Sequence, residues 1–145
     1  MNQVKRILLF PISLLYGLIT ALRNLCYDWG ILKSYNFREH VISVGNLAVG
    51  GTGKSPHIEY LNQLLKDQFS VANLSRGYSR KTRGYMEVFA ENTAEEVGDE
   101  PKQFKTKFPD ISVAVDADRL RGSKQLLKKK PKPEIILLDD AFQHR

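Results

Sequence analysis

Cysteine is almost missing from this chain. Cys26 is the single one in 145 residues, so no internal disulfide can form, which fits a reducing compartment. Cys26 itself reads as a packing or membrane-face residue rather than a nucleophile. No zinc-ligand spacing, recognition-helix pattern or aromatic RNA-reader pattern is present, which weighs against nucleic-acid binding. The Asn/Thr-Lys-x-Asp signature that reads guanine is absent too, and nothing clearly reads adenine. No internal repeat is found. No uncharged apolar run reaches the roughly 20 residues of a spanning helix. The longest, residues 7–22 (ILLFPISLLYGLITAL), stops at sixteen and is interrupted by Pro11 and Gly17.

What is present describes an ordinary globular chain with room for one domain. Apolar residues make up 42% and charged residues 26%, close to average usage. The net charge of +6, from 22 basic and 16 acidic residues, suits nucleotides, phospholipid surfaces or phosphorylated substrates. It suits plain solubility equally well.

The most informative stretch is Ala48-Val49-Gly50-Gly51-Thr52-Gly53-Lys54-Ser55. A small residue, four spacers and Gly-Lys-Ser form a phosphate-binding loop. The alternative is a chance glycine-rich turn, and the flanks argue against it. Val41-Ile42-Ser43-Val44 reads as a buried strand. Ile58, Leu61, Leu64 and Leu65 mark one face of a following helix, with Pro56 in its first turn. The glycines allow successive N–H groups to face phosphate oxygens. Lys54 is expected to reach the β- and γ-phosphates, and the Ser55 hydroxyl to ligate Mg²⁺. Ala48 stands where glycine is usual.

Residues 7–22 admit three readings: an interfacial anchor, a buried helix, and a signal or single span. A signal lacks its small-residue cleavage site in residues 23–30. The anchor fits best, because Tyr16, Tyr27, Trp29 and Tyr35 are interface-seeking and Lys5, Arg6 and Arg23 match anionic headgroups.

Beyond the loop, strands are expected over Phe69–Leu74, Met86–Ala90, Ile111–Val115 and Glu134–Leu138. Helical segments are expected over Thr93–Val97, from Asp99 as N-cap to about Lys107, and from about Arg119 to Lys129. Alternating strands and helices imply an α/β fold of P-loop NTPase type: a mostly parallel sheet with helices on both faces. An N-terminal membrane-associated helix precedes it, giving an anchor over residues 1–35 and a nucleotide-binding domain over residues 36–145. Ligands bind such sheets beyond the carboxyl ends of the strands, where Lys54, Arg76, Arg119 and Asp139 all fall. Asp139-Asp140 after Ile135-Ile136-Leu137-Leu138 is a Walker-B pattern, whose carboxylate serves Mg²⁺. An aspartate that caps the next turn would look the same.

Val44-Gly45-Asn46-Leu47, the phosphate loop, Ser75-Arg76-Gly77-Tyr78, Gly98-Asp99-Glu100-Pro101, Asp118-Arg119 and Asp139-Asp140-Ala141-Phe142-Gln143-His144 occur in this order. Together they resemble the tetraacyldisaccharide 4'-kinases of lipid A biosynthesis, over nearly the whole chain. The resemblance implies transfer of phosphate from Mg·ATP to the 4'-hydroxyl of a membrane-embedded, acylated glucosamine disaccharide 1-phosphate. It places the protein at the cytoplasmic face of a bacterial inner membrane, peripheral or monotopic. It implies that Ala48–Ser55 bind the triphosphate, with Lys54 also catalytic. Asp99 would be the carboxylate beside the acceptor hydroxyl, and Arg119 a phosphate or substrate contact. Ser55, Asp139 and Asp140 would serve the metal. ATP and Mg²⁺ are then the cofactors. The lipid and the membrane surface are the partners, with no nucleic acid and no protein partner expected.

The residues alone agree on Lys54, Ser55 and Asp139, and leave Asp99 open between acceptor carboxylate and plain N-cap. Arg76 and Tyr78 meet either the sugar or only solvent, and His144 is either a ligand contact or structural. Two departures stand out. Ala141 replaces the family's usual glycine. The family chain is longer, with a second lobe that supplies a histidine partner to the catalytic aspartate. An incomplete chain, inactive alone, is therefore expected. Competing readings are a membrane-bound P-loop ATPase or GTPase switch and a non-catalytic nucleotide-binding module.

Overall fold

The computed structural model describes residues 3–32, 34–45 and 54–141. Two compact units emerge, Met1–Asn36 and Phe37–Arg145.

The first unit is built on helix α1, Gln3–Asp28. At 26 residues it is about 39 Å long at 1.5 Å per residue, more than the roughly 30 Å of a hydrocarbon core. It runs on past Arg23 because arginine, leucine and tyrosine continue a helix readily, and an uncharged run does not set helix length. The sixteen-residue run therefore understates the element. The stretch Leu9–Asp28 is long and apolar enough to cross a membrane by length and composition, and none of it is buried. Phe10, Leu14 and Tyr16 are each about two-thirds exposed. Arg23 lies over the Tyr27 ring at 5.6 Å, one turn away. Gly30, at φ +73°, follows the helix end in a conformation that favours glycine.

The second unit is a five-stranded sheet in the order β1-β5-β2-β4-β3. Its strands are β1 (His40–Val44), β2 (Val71–Ser75), β3 (Met86–Val88), β4 (Ser112–Val115) and β5 (Ile135–Asp139). The pairs β1·β5, β5·β2 and β2·β4 are parallel, and β3 closes one edge antiparallel to β4. Strand β5 lies between β1 and β2 because both of its faces are apolar. Ile135 and Leu137 enter one core cluster and Ile136 enters the other.

The helices of this unit are α2 (Lys54–Leu65), α3 (Ala94–Val97), α4 (Asp99–Lys107) and α5 (Arg119–Leu126). Ile58 of α2, Val97 of α3 and Phe104 of α4 share one cluster, while Leu126 of α5 packs with Ala72, Leu74 and Ala114 on the opposite face. Helices thus cover both faces of a mostly parallel sheet, as expected.

Several boundaries differ from the expectation. Leu64 is 53% exposed, and the fully buried residues of α2 are Ile58 and Asn62. The sheet meets only a narrow stripe of the helix, and Leu64 lies beside that stripe. Phe69 belongs to the turn after α2, its N–H donating to Leu65 O at 2.9 Å, so the β2 ladder starts at Val71. Strand β3 stops at Val88, because the Phe89 N–H is taken by Asn92 Oδ1 at 2.7 Å. Helix α5 ends at Leu126 rather than near Lys129, and turns carry the chain onward. Asp99 is not an N-cap. It is the first residue of α4, and Gly98 takes the cap position at φ +97°.

Candidate active site

The carboxyl ends of four strands line up. Val44 at the end of β1 is level with Asp139 at the end of β5. Leu74 pairs with Leu138, which sets Ser75 beside that aspartate, and Ser75 pairs with Val115 on its other side. The ladder therefore brings the end of β1, the Asp139-Asp140 pair and the Ser75–Tyr78 segment to one edge. This is where a parallel sheet binds ligands.

A cleft of about 390 Å³ opens at this edge. Its walls are Ser75–Tyr78 after β2, Asp99–Pro101 at the start of α4, and Asp139 and Asp140 after β5. Asp139 is 2% exposed, and its Oδ2 accepts from Ser75 Oγ at 3.0 Å. Asp140 adopts φ +52°, a left-handed conformation that aspartate tolerates better than most residues. Tyr78 is 83% exposed.

Two glycines let the walls meet. Gly98 and Gly77 have φ +97° and +70°. A Cβ on Gly98 would stand 3.2 Å from Gly77 Cα and 3.2 Å from Tyr78 O. The segments Ser75-Arg76-Gly77-Tyr78 and Gly98-Asp99-Glu100-Pro101 are thus in backbone contact, which puts Asp99 beside Arg76 and Tyr78 across the cleft wall.

Helix α2 begins at Lys54. The Ser55 hydroxyl donates to Glu100 Oε1 at 2.6 Å. Ala48–Gly53 lie outside the described residues, as do Phe142–Arg145 with His144.

The Arg119 side chain is 9% exposed. It donates to Asp116 O at 3.0 Å, Asp139 O at 2.5 Å and Asp140 O at 3.5 Å. Burial lowers its pKa, against the raising charges of Asp139, Asp140 and Asp116, and an arginine stays protonated regardless. In this arrangement Arg119 ties the ends of β4 and β5 together. Asp116 anchors the same turn. Its carboxylate accepts from Arg121 Nε at 2.8 Å, Arg121 NH2 at 2.7 Å and the Asp118 N–H at 3.0 Å. Burial pushes its pKa up, but those bonds and the Arg121 and Arg80 charges outweigh it and hold the group below its ordinary value.

Replacing Arg119 by lysine should lower the melting temperature by several degrees. One ammonium cannot fork to carbonyls on two strand ends, and each orphaned buried group costs about 1–3 kcal/mol. A variant that melts like the wild type but has lost activity would return Arg119 to direct ligand contact.

Two residues were not singled out from the sequence, Glu100 and Ser75. Both stand next to named positions inside the quoted motifs. Their roles needed the contacts Ser55–Glu100 and Ser75–Asp139, which join positions 45 and 64 residues apart.

Among the described residues, no group of three or more His, Cys, Asp or Glu side chains is arranged to hold a metal ion. Mg²⁺ at a nucleotide does not need one, since it keeps several waters and takes one or two carboxylates plus phosphate oxygens. A hydroxyl and a carboxylate within 2.6 Å, Ser55 and Glu100, form an all-oxygen donor pair that fits it.

The chain matches the tetraacyldisaccharide-1-P 4'-kinase family over residues 5–145. It is 57% identical over 145 residues to a tetraacyldisaccharide 4'-kinase of Flavobacterium johnsoniae, covering 100% of this chain and 42% of that protein. It is 54% identical over 138 residues to the Bacteroides thetaiotaomicron tetraacyldisaccharide 4'-kinase, covering 94% of this chain and 36% of that one. The crystal structure of "apo" form LpxK from Aquifex aeolicus in complex with ATP superposes with a TM-score of 0.82 at 45% identity. That match covers 97% of this chain and 45% of the other. The chain thus spans about two-fifths of the length of its curated relatives. With a family match over almost all of its residues and a shared fold at 45% identity, this chain belongs to the tetraacyldisaccharide-1-P 4'-kinase family.

Proposed function

We propose that the second unit carries the nucleotide site of an ATP-dependent 4'-kinase. Its acceptor is a tetraacyl glucosamine disaccharide 1-phosphate of lipid A biosynthesis. The observation that carries this reading is one cleft that joins Asp99-Glu100 to Asp139-Asp140, with the start of α2 hydrogen-bonded to its wall through Ser55 and Glu100.

Phosphoryl transfer depends mainly on positioning and charge neutralisation. In the proposed reaction the 4'-hydroxyl oxygen attacks the γ-phosphorus, the bond to the β-phosphate oxygen breaks, and ADP leaves. Asp99 orients the hydroxyl and takes its proton. Lys54 and the amides of Ala48–Ser55 hold the triphosphate. Ser55, Asp139 and Asp140, joined by Glu100, are the residues that would hold Mg²⁺, which supplies neutralisation of phosphate charge when bound. The test uses the native-length gene product, γ-labelled ATP and the acylated disaccharide phosphate in mixed micelles. Label is expected on the 4'-oxygen. ATP hydrolysis with no lipid labelling would favour a membrane-bound ATPase instead.

Helix α1 is proposed as the anchor, over residues 1–35, lying in the cytoplasmic leaflet with its apolar side chains among acyl chains and Arg23 at the headgroups. Removing residues 1–28 should release the protein from washed membranes into the supernatant. A truncated protein that still pellets with membranes would show that other residues hold it there.

A further inference from the structure

Helices α2 and α4 carry the two halves of the proposed chemistry at their first turns. Lys54 and Ser55 stand on one, Asp99 and Glu100 on the other. Beneath them, Ile58 and Phe104 share one apolar cluster. Such burial is non-directional and does not by itself fix how far one helix slides along the other.

A row of polar contacts above that cluster does. Ser55 and Glu59 are one turn apart on α2, and Glu100, Gln103 and Lys107 follow at helical spacing on α4. Ser55 Oγ donates to Glu100 Oε1 at 2.6 Å. One turn further along, Gln103 Nε2 donates to Glu59 Oε1 at 2.7 Å. Lys107 Nζ donates to both Glu59 oxygens, each at 2.7 Å. Glu59 therefore accepts from two successive turns of α4. Its side chain is 20% exposed, against 49% for Lys107. Exposed ion pairs contribute little to stability. This one is bidentate, partly shielded and backed by an amide, so its effect is geometric: it fixes the register of α4 against α2.

We propose that Glu59, acting with Gln103 and Lys107, is a positioning residue for phosphoryl transfer. It sets the separation between the phosphate-holding start of α2 and the Asp99 carboxylate at the start of α4. This rests on the kinase reading above. A displacement of about 1 Å between reacting groups can cost about 100-fold in rate. Loss of Glu59 should therefore act mainly on kcat, because the phosphate-holding residues of α2 stay in place while Asp99 and Glu100 move with α4.

The experiment compares Glu59→Ala, Lys107→Ala and the exchange Glu59→Lys with Lys107→Glu, all in the native-length protein. Each is measured for kcat, ATP affinity, melting temperature and amide hydrogen exchange in α4. The single variants are expected to lose about tenfold in kcat, a partial loss of that positional advantage, with a smaller loss of ATP affinity because Glu100 moves with α4. Exchange at Lys102–Phe108 should rise. The exchanged pair should recover both, because Gln103 can present its oxygen to a lysine at position 59. Single variants with wild-type kcat would overturn the proposal. So would an exchanged pair that melts like the wild type without recovering kcat. If the wild-type protein transfers no phosphate to the lipid, the kinase reading fails by itself. Hydrogen exchange then decides the clasp: unchanged α4 protection in Glu59→Ala refutes it, and raised protection loss restored by the exchanged pair supports it.

Discussion

Lys54→Ala, in the native-length protein, is expected to lower lipid phosphorylation by about 1,000-fold or more. Groups that neutralise developing charge in a preorganised site are commonly worth about 10²–10³ each. Stabilisation of phosphoryl-transfer charge by one cation reaches about 10³–10⁵. Position matters here as much as charge. Lys54 is the first residue of α2, so it stands where the helix's own partial positive charge also favours phosphate. Strand β1, which precedes it in the chain, ends at Val44, level with Asp139 of the acidic pair. The variant should melt close to the wild type, because the sheet and both core clusters draw on other residues. Steady-state transfer with labelled ATP, alongside a melting curve, is the measurement. Normal turnover in Lys54→Ala would sink the assignment of residues 48–55 as the triphosphate site.

Asp99→Ala is expected to lower transfer by about 10²–10⁴-fold, the range of a positioned general base, while ATP binding is retained. The structure sharpens this contrast. Asp99 is the first residue of α4 and not its N-cap. Removing its carboxylate therefore strips no capping side chain, and the helix should persist. Glu100, one residue on, is the group in contact with Ser55. Asp99 and Glu100 are thus separable. Asp99→Ala should spare nucleotide affinity, whereas Glu100→Ala should disturb the Ser55 side of the site. Isothermal titration with Mg·ATP and transfer assays on both variants distinguish them. If Asp99→Ala weakens ATP binding as much as it weakens transfer, Asp99 serves the metal and not the acceptor hydroxyl.

Much of the scaffold could be read from the residues. The apolar run Ile135–Leu138 dictates a strand buried on both faces, and its ending in two aspartates marks the carboxyl edge of the sheet. Thr93, followed three residues later by Glu96, marks the start of α3, and the Glu96 carboxylate accepts from the Thr93 N–H at 2.8 Å. The ends of elements were less legible, because local competitors decide them. Asn92 captures the Phe89 amide and cuts β3 short. Gly98 takes a cap conformation that Asp99 does not. Arg119 shows the same limit at the site. As a cation after a strand it reads as a phosphate contact, and only the fold shows its two terminal nitrogens on the carbonyls of Asp116, Asp139 and Asp140.

By itself the sequence determined the kinds of element, the two-faced burial of the central strand, the presence of a phosphate-loop pattern and an acidic strand end, and the apolar N-terminal helix. Each of these follows from residue type and short-range spacing, and needs no knowledge of what lies across the fold. Tertiary structure decided the strand order that sets β5 between β1 and β2, and the abutment of Gly77 on Gly98. It also decided the pairing of Ser55 with Glu100 and of Glu59 with Gln103 and Lys107. Those contacts join residues more than forty positions apart, and nothing in local spacing encodes them. They arise when two helices share one apolar cluster on one face of a twisted sheet, and their polar flanks are left with only each other and water as partners.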